Sequence, residues 1–343
     1  MNLFTLTPAK VKSCVESCMQ ARLVPFIQGS PGIGKSNIVK QIADEYRLKM
    51  VDLRLSSMDP TDLQGLPWIQ NGKAKFNLYE MFPLEDSPIP EGYEGWLLFL
   101  DEFNSAPKAV QAASYRVVLD REIGQHKLHS KCFVVAAGNK STDNAIVNRL
   151  STAMASRVIH LNMEVNFDNW RYDFAIPHGI DERIIAYLSM YPMKLMDFDP
   201  DKEDQTFCSP RTWEFTSKLL KILNKKELSE DDIPLLAGAI TIEQASAFVQ
   251  FCKVYKNIIS IKDIIKNPDI DPPSDAATLW AVIIHLVSAA KDLKDIEKFL
   301  SKCPITFRIV FIRSILKKTP DIQSDPIFLR MASEIGAYCF GEE

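Results

Sequence analysis

Eight consecutive residues near the N-terminus have the spacing of a phosphate-binding loop. They fit the pattern GxxxxGK[ST] and are Gly29, Ser30, Pro31, Gly32, Ile33, Gly34, Lys35 and Ser36. Glycines let backbone N–H groups surround a triphosphate, a lysine reaches its β and γ oxygens, and a serine hydroxyl ligates Mg²⁺. The alternative is an ordinary Gly-rich turn. An apolar run before the loop and a helical pattern after it favour nucleotide binding, so we predict ATP and Mg²⁺ as ligands, with Ser36 on the metal.

Two adjacent carboxylates, Asp101 and Glu102, end the strongly apolar run Leu97–Leu100. A parallel strand carries such residues to the sheet edge at which a phosphate loop lies. We expect Asp101 to hold Mg²⁺, directly or through water, and Glu102 to polarise the attacking water. The alternative is a pair of surface acids that end a core strand. Consecutive Asp and Glu after a phosphate loop favour hydrolysis over binding alone.

A third polar residue, Asn139, ends the apolar run Val134–Gly138. An amide at that position can orient the attacking water and contact the γ-phosphate. An Asn that simply forms a turn after a strand is the alternative, and it would be the default if this stretch stood alone.

The elements that position these residues follow from the hydrophobic pattern of the first half, where short apolar runs alternate with helical segments. This pattern predicts a parallel sheet flanked by helices over residues 1–165, followed by an all-helical region over residues 166–343. Asn71-Gly72 between alternating apolar residues predicts a β-hairpin in the otherwise irregular stretch 56–95, and Gly124 marks a second hairpin. The main predicted strands are Val24–Gln28, Met50–Leu55, Trp96–Leu100, Cys132–Ala137 and Val158–Leu161, and the predicted helices are 8–21, Lys35–Tyr46, Pro107–Leu119 and Ala145–Ser156.

Composition limits the classes of function. The chain has 343 residues, of which 46% are hydrophobic and 24% charged, and a formal net charge of -4. An acidic balance does not favour a broad electrostatic contact with nucleic acid. The seven cysteines form no CxxC pair, and we find no signal peptide and no apolar run long enough to span a membrane. We therefore expect a cytoplasmic protein.

The ordered set GSPGIGKS, LLFLDE and AAGN resembles an AAA+ ATPase. Three further stretches, DLRLSSMDPTDLQGLP, NRLSTAMASRVIHL and SPRTWE, make the chain similar to the MoxR-like branch. The similarity covers about residues 8–260, and the last 80 residues match only as a helical lid of similar length. The resemblance implies a P-loop AAA+ core, a helical lid domain and a homo-oligomeric ring, usually a hexamer, with ATP between subunits.

The resemblance also implies roles for two arginines. Arg157 matches the arginine finger, and Arg149 is a nearby competitor for that role. Arg211, in Ser209-Pro210-Arg211, matches the sensor arginine of the lid. The local sequence agrees, because Ser209 is a good N-cap and Pro210 suits the first helical position. The two hairpins match insertions of the family, and whether they contact substrate stays open.

These expectations lead to one main function and two alternatives. The main function is ATP hydrolysis coupled to remodelling or chaperone-like maturation of a protein, with a von Willebrand factor A domain protein as the first expected partner. A nucleic-acid motor or loader is disfavoured by the acidic composition, although Lys73, Lys75 and Lys127 are available to pore loops. An ATP-gated scaffold with little turnover is disfavoured by intact Lys35, Asp101 and Glu102.

Overall fold

The computed structural model describes residues 4–140, 142–143, 148, 150–201, 205–225, 227–255, 259, 261–289 and 292–336. By its internal contacts the chain divides into two compact units. The first comprises Met1–Val165 and Asp199–Lys202, and the second comprises Asn166–Phe198 and Glu203–Glu343. Each unit has a hydrophobic core of its own.

The first unit is built on a six-stranded, wholly parallel sheet. The bounds of its strands are β1 Thr5–Leu6, β2 Val24–Gln28, β3 Leu48–Arg54, β6 Gly95–Asp101, β9 Cys132–Gly138 and β10 Val158–Met163. Their order in the sheet is β1-β10-β2-β9-β6-β3. The predicted parallel sheet is therefore confirmed, and β1 is an additional edge strand. Two separate hairpins are formed by β4 Leu66–Gln70 with β5 Lys73–Asn77 and by β7 Glu122–Ile123 with β8 His126–Lys127.

Burial explains why the central strand β6 is apolar along its length. Every residue from Gly95 to Leu100 is buried, because β6 lies between β3 and β9 with cover on both faces. Strand β3 at the sheet edge instead alternates between buried and exposed positions at its C-terminal end. The acids that follow β6 are thus delivered by the most buried strand of the sheet.

The helices of the first unit include one that the sequence did not predict. Within the irregular stretch, Asp59 and Asp62 form a capping box around a short helix, which begins at Pro60 and ends at Gln64. The helix predicted at 145–156, before β10, is also shorter. Among its described residues, 148 and 150–156, only Thr152–Ala155 are helical. The helix bounds are α1 Pro8–Gln20, α2 Lys35–Glu45, α3 Pro60–Gln64, α4 Lys108–Leu119 and α5 Thr152–Ala155, and a 3-10 turn covers Leu55–Ser57.

The first hairpin has the predicted two-residue turn. Asn71 and Gly72 both have positive φ, at 54° and 71°, as a type I′ turn requires. At the second hairpin Gly124 also has positive φ, and a Cβ atom there would lie 2.7 Å from the Gln64 carbonyl oxygen. Glycine is therefore required at that turn for two reasons, backbone conformation and close approach.

The second unit is helical in its described residues. Its helix α12 (Ala276–Ala289) is apolar on nearly all sides and contacts α7 (Glu182–Met190) and α14 (Ile305–Lys318); Val282, Ile283 and Leu286 are fully buried. The α-helix bounds are α6 Phe167–Asn169, α7 Glu182–Met190, α8 Pro210–Leu223, α9 Ile233–Ala237, α10 Ile242–Tyr255, α11 Ile261–Lys266, α12 Ala276–Ala289, α13 Glu297–Lys302, α14 Ile305–Lys318 and α15 Pro326–Ile335, with a π-helical turn at Trp170–Ala175. In the part of the chain that the structure describes, no helix is both long and apolar enough to cross a membrane.

Candidate nucleotide-binding site

The glycine-rich loop connects the C-terminal end of β2 to the first turn of α2. Gly34, the N-cap of α2, has a φ of 98°, which favours glycine. At Gly29 a Cβ atom would lie 2.4 Å from the Ile33 side chain and 2.9 Å from the Met163 carbonyl oxygen. The loop can therefore close against the sheet only with glycine at position 29. The loop leads directly into the N-terminus of α2, where backbone N–H groups favour an anion.

The Lys35 ammonium group lies inside this loop among oxygen acceptors. Its Nζ donates to the carbonyl oxygens of Gly29 at 2.7 Å and Ser30 at 3.0 Å, and to Oδ1 of Asn139 at 3.1 Å. The residue is only 9% exposed. Neutral carbonyl oxygens are weaker partners for an ammonium group than phosphate oxygens, so this cation is suited to exchange them for a triphosphate.

Two oxygen-bearing side chains meet beside Lys35, as expected for a metal site. The Ser36 hydroxyl donates to Oδ2 of Asp101 at 3.2 Å, although 65 residues separate the two in sequence. Hydroxyl and carboxylate oxygens suit Mg²⁺, which is bound through one or two protein ligands together with phosphates and water. No group of three or more His, Cys, Asp or Glu side chains among the described residues is arranged to hold a metal. Mg²⁺ at Ser36 and Asp101 would complete its shell with nucleotide oxygens and water.

Glu102 follows Asp101 in an unusual backbone conformation. Its φ is +55°, in the left-handed region that is costly for a residue with a Cβ atom. Its backbone N–H donates to Oδ1 of Asp101 at 2.9 Å, and its carboxylate accepts a hydrogen bond from the Ser56 hydroxyl. Partial burial raises the pKa of the neighbouring Asp52 carboxyl, and the negative charge of Asp101 raises that pKa further. The end of β6 is therefore crowded with acids.

Asn139 lies directly after β9 and touches the Lys35 ammonium group through its side chain. Its backbone is bound on both sides by the side-chain amide of Asn104. Sequence reasoning singled out neither Asn104 nor Ser56. Neither belongs to a pattern that predicts chemistry, and their partners lie 35 and 46 residues away in the chain.

Arg157 lies at the end of the parallel strands opposite the phosphate loop. It directly precedes Val158, which pairs with Val24, whereas the loop follows Gln28 at the other end of the same strand. Four strand residues correspond to roughly 13 Å, beyond the reach of an arginine side chain that donates instead to the Ala153 carbonyl oxygen at 2.7 Å. The competing Arg149 lies outside the described residues.

Arg211 belongs to the second unit. It is the second residue of α8, whose N-cap Ser209 accepts a hydrogen bond from the Thr212 N–H in a capping box. The predicted helix start is therefore as observed, and the Arg211 side chain is exposed. A cation in the first turn is unfavourable for the helix dipole, which leaves its position without a local structural reason.

The sheet order, the loop between β2 and α2 and the acids after β6 define an AAA+ P-loop fold, followed by a helical C-terminal region. Residues 25–158 match the family model described as "AAA domain (dynein-related subfamily)". This match runs from β2 to the first residue of β10. It contains the loop, both acids, Asn139 and Arg157.

Solved structures similar to this chain were found at low sequence identity. The Thermotoga maritima RuvB Holliday junction branch migration motor is 15% identical over 82% of this chain and 87% of its own, with a TM-score of 0.36. NtrX from Brucella abortus is 12% identical over 98% of this chain and 69% of its own, with a TM-score of 0.34. Similarity at this level does not define a shared function. No curated protein sequence matches the chain significantly.

Proposed function

We propose that this protein is a MoxR-like AAA+ ATPase that couples ATP hydrolysis to the remodelling or chaperone-like maturation of a protein partner. The observation that carries the ATPase assignment is the meeting of Lys35, Asn139, Ser36 and Asp101 at one edge of the sheet, with Glu102 next in the chain. These groups supply a phosphate anchor, a metal site, a base and an amide for the γ-phosphate.

Each residue then has one task. Lys35 and the N–H groups of the loop bind the β- and γ-phosphates, and Ser36 and Asp101 would hold Mg²⁺, which would neutralise phosphate charge. Glu102 polarises the attacking water, and Asn139 orients it. Arg211 senses the γ-phosphate from the lid, as its position in a SPR sequence at a helix start suggests.

We further propose that the active form is a homo-oligomeric ring, a hexamer in the family it resembles. The position of Arg157 supports this assembly, because that side chain is too far from the phosphate loop of its own unit to act there. An arginine that stabilises the transferred phosphoryl group can be supplied by another subunit. Arg157 would then act on ATP bound by its neighbour.

The first hairpin supports a protein as the remodelled partner. Its strands expose the large apolar side chains of Trp68, at 50%, and Ile69, at 77%. Large exposed apolar side chains on a hairpin suit contacts with another protein. A von Willebrand factor A domain protein is the first candidate. A nucleic-acid motor needs a basic, aromatic-rich surface, which the net charge of -4 does not favour.

The test compares stimulation of ATP turnover by two kinds of ligand. We expect turnover of the purified protein to rise with its protein partner, and we expect the double variant Trp68→Ser/Ile69→Ser to lose that stimulation while keeping its basal rate. Single-stranded DNA is the comparison ligand and should have no effect. Stimulation by DNA alone would favour the nucleic-acid motor, and a single burst without steady turnover would favour the ATP-gated scaffold.

A further inference from the structure

The side chain of Asn104 forms a two-bond clamp on the backbone of Asn139. Its Nδ2 donates to the Asn139 carbonyl oxygen at 2.7 Å, and its Oδ1 accepts from the Asn139 N–H at 3.1 Å. Asn104 is 3% exposed. We propose that Asn104 is a positioning residue for ATP hydrolysis, which sets the direction of the Asn139 side chain toward Lys35 and the γ-phosphate. This inference rests on the proposed ATPase function.

The clamp begins where the backbone ladder ends. Strands β6 and β9 pair as far as Leu100 with Ala136, and one further bond joins the Phe103 N–H to the Ala137 carbonyl oxygen at 2.9 Å. On the β6 side no described strand residue pairs with Asn139, while on the other side β2 pairs with β9 as far as Gly138. A primary amide offers the same donor and acceptor as a peptide group, so Asn104 replaces the missing strand partner for one residue.

The surroundings of the clamp are built for this close approach. A Cβ atom at Gly138 would lie 2.1 Å from Oδ1 of Asn104, so only glycine allows the amide to reach the next residue. On the other side, the Asn148 N–H donates to the Asn104 carbonyl oxygen at 2.6 Å. The Asn104 backbone is therefore held by Asn148, and Gly138 leaves room for the Asn104 side-chain amide.

The consequence concerns the direction of one side chain. A backbone held at both its N–H and its carbonyl has little freedom to rotate, and the Cβ direction of Asn139 is fixed with it. The Oδ1 of Asn139 then reaches Lys35 Nζ at 3.1 Å. Asn104 also lies two residues after Glu102, so one short segment carries the proposed base and the support of the water-orienting amide.

A purely structural role and a positioning role differ in a double-mutant cycle. The experiment measures kcat, KM and ADP affinity for the wild type, Asn104→Ala, Asn139→Ala and the double variant, with Mg²⁺ and ATP. We expect Asn104→Ala to lower kcat by about 10- to 100-fold, the range for a small misplacement of a catalytic group, with ADP affinity within about 2-fold. Since Asn104 acts through Asn139, the double variant should be no slower than Asn139→Ala.

A matched control separates the clamp from general loss of stability. Gln111 is also a buried amide of the first unit, and it donates to the Ala106 carbonyl oxygen at 3.1 Å without touching Asn139. Gln111→Ala should therefore lose stability and keep kcat. If Asn104→Ala does not fold, Asn104→Ser takes its place, because its shorter side chain with one polar atom cannot span both the N–H and the carbonyl of Asn139.

Other outcomes overturn the inference in distinguishable ways. Effects of Asn104→Ala and Asn139→Ala that multiply in the double variant, a normal kcat in either single variant, or equal loss of ATP and ADP affinity would refute positioning through Asn139. A wild-type protein that binds no ATP or releases no phosphate would overturn the proposed function itself.

Discussion

The backbone of Glu102 predicts an inverted order of stability between two substitutions. At most positions alanine is more stabilising than glycine by about 0.4–1 kcal/mol, because glycine leaves the unfolded chain freer. Glu102 has a φ of +55°, where a Cβ atom costs about 1–2 kcal/mol. Glu102→Gly and Glu102→Ala both remove the carboxylate and its bond with Ser56, so the two variants differ only in Cβ.

Subtracting the entropic disadvantage of glycine from the relieved strain leaves about 1 kcal/mol in favour of Glu102→Gly. For a unit of this size that difference corresponds to roughly 2–4 °C in Tm. The assay is thermal and urea unfolding of both variants without nucleotide, because a bound ligand would add its own stabilisation.

The control is the same pair of substitutions at an ordinary helical position. Ser13 is exposed in the interior of α1, and there Ser13→Ala should be more stable than Ser13→Gly by about 1 kcal/mol. If Glu102→Ala proved as stable as Glu102→Gly, or more so, the left-handed conformation of Glu102 would be refuted. The strain would then not be part of the site.

Three further predictions concern the metal, the lid and the neighbouring subunit. Asp101→Asn should raise the Mg²⁺ concentration needed for half-maximal turnover by about 10-fold or more, because a charged ligand is lost; an unchanged Mg²⁺ titration would contradict the metal site. Arg211→Ala should weaken ATP much more than ADP in equilibrium binding, and an equal loss would indicate a structural role. Arg157→Ala and Glu102→Gln should each be nearly inactive, because the first lacks the arginine finger and the second lacks the water-polarising carboxylate; a finger contributes about 10³–10⁵ in GTPases, and we expect less here. Mixed rings of these two variants should regain part of the activity, and confirmed co-assembly without any recovery would exclude Arg157 acting in trans.

Local patterns predicted the fold well where one element contains the whole signal. The strands β2, β6 and β9 are nearly continuous apolar runs, and Asn71-Gly72 encodes its turn through φ values that few other residue pairs adopt. The short helix α3 was missed because its five residues are too few for a helical period, and its signal lies in the capping box of Asp59 and Asp62.

The support around the site could not be predicted from sequence. Ser56 meets Glu102 because β3 and β6 are neighbours in the sheet, and Asn104 meets Asn139 because β6 and β9 are neighbours. These contacts depend on strand order and on where each strand ends. Within a few residues, Ser and Asn are compatible with many turns and caps.

The central claim is that Lys35 binds the phosphates of ATP and that Glu102 polarises the water that hydrolyses it. The most direct measurement is ATP binding and phosphate release, in parallel, for the wild type, Lys35→Ala and Glu102→Gln. We predict that Lys35→Ala loses most of its ATP affinity, because its ammonium group is the cation of the loop. Glu102→Gln should bind ATP nearly normally and release phosphate about 10²–10⁴ times more slowly. Normal ATP binding by Lys35→Ala, or near-normal phosphate release by Glu102→Gln, would contradict the claim.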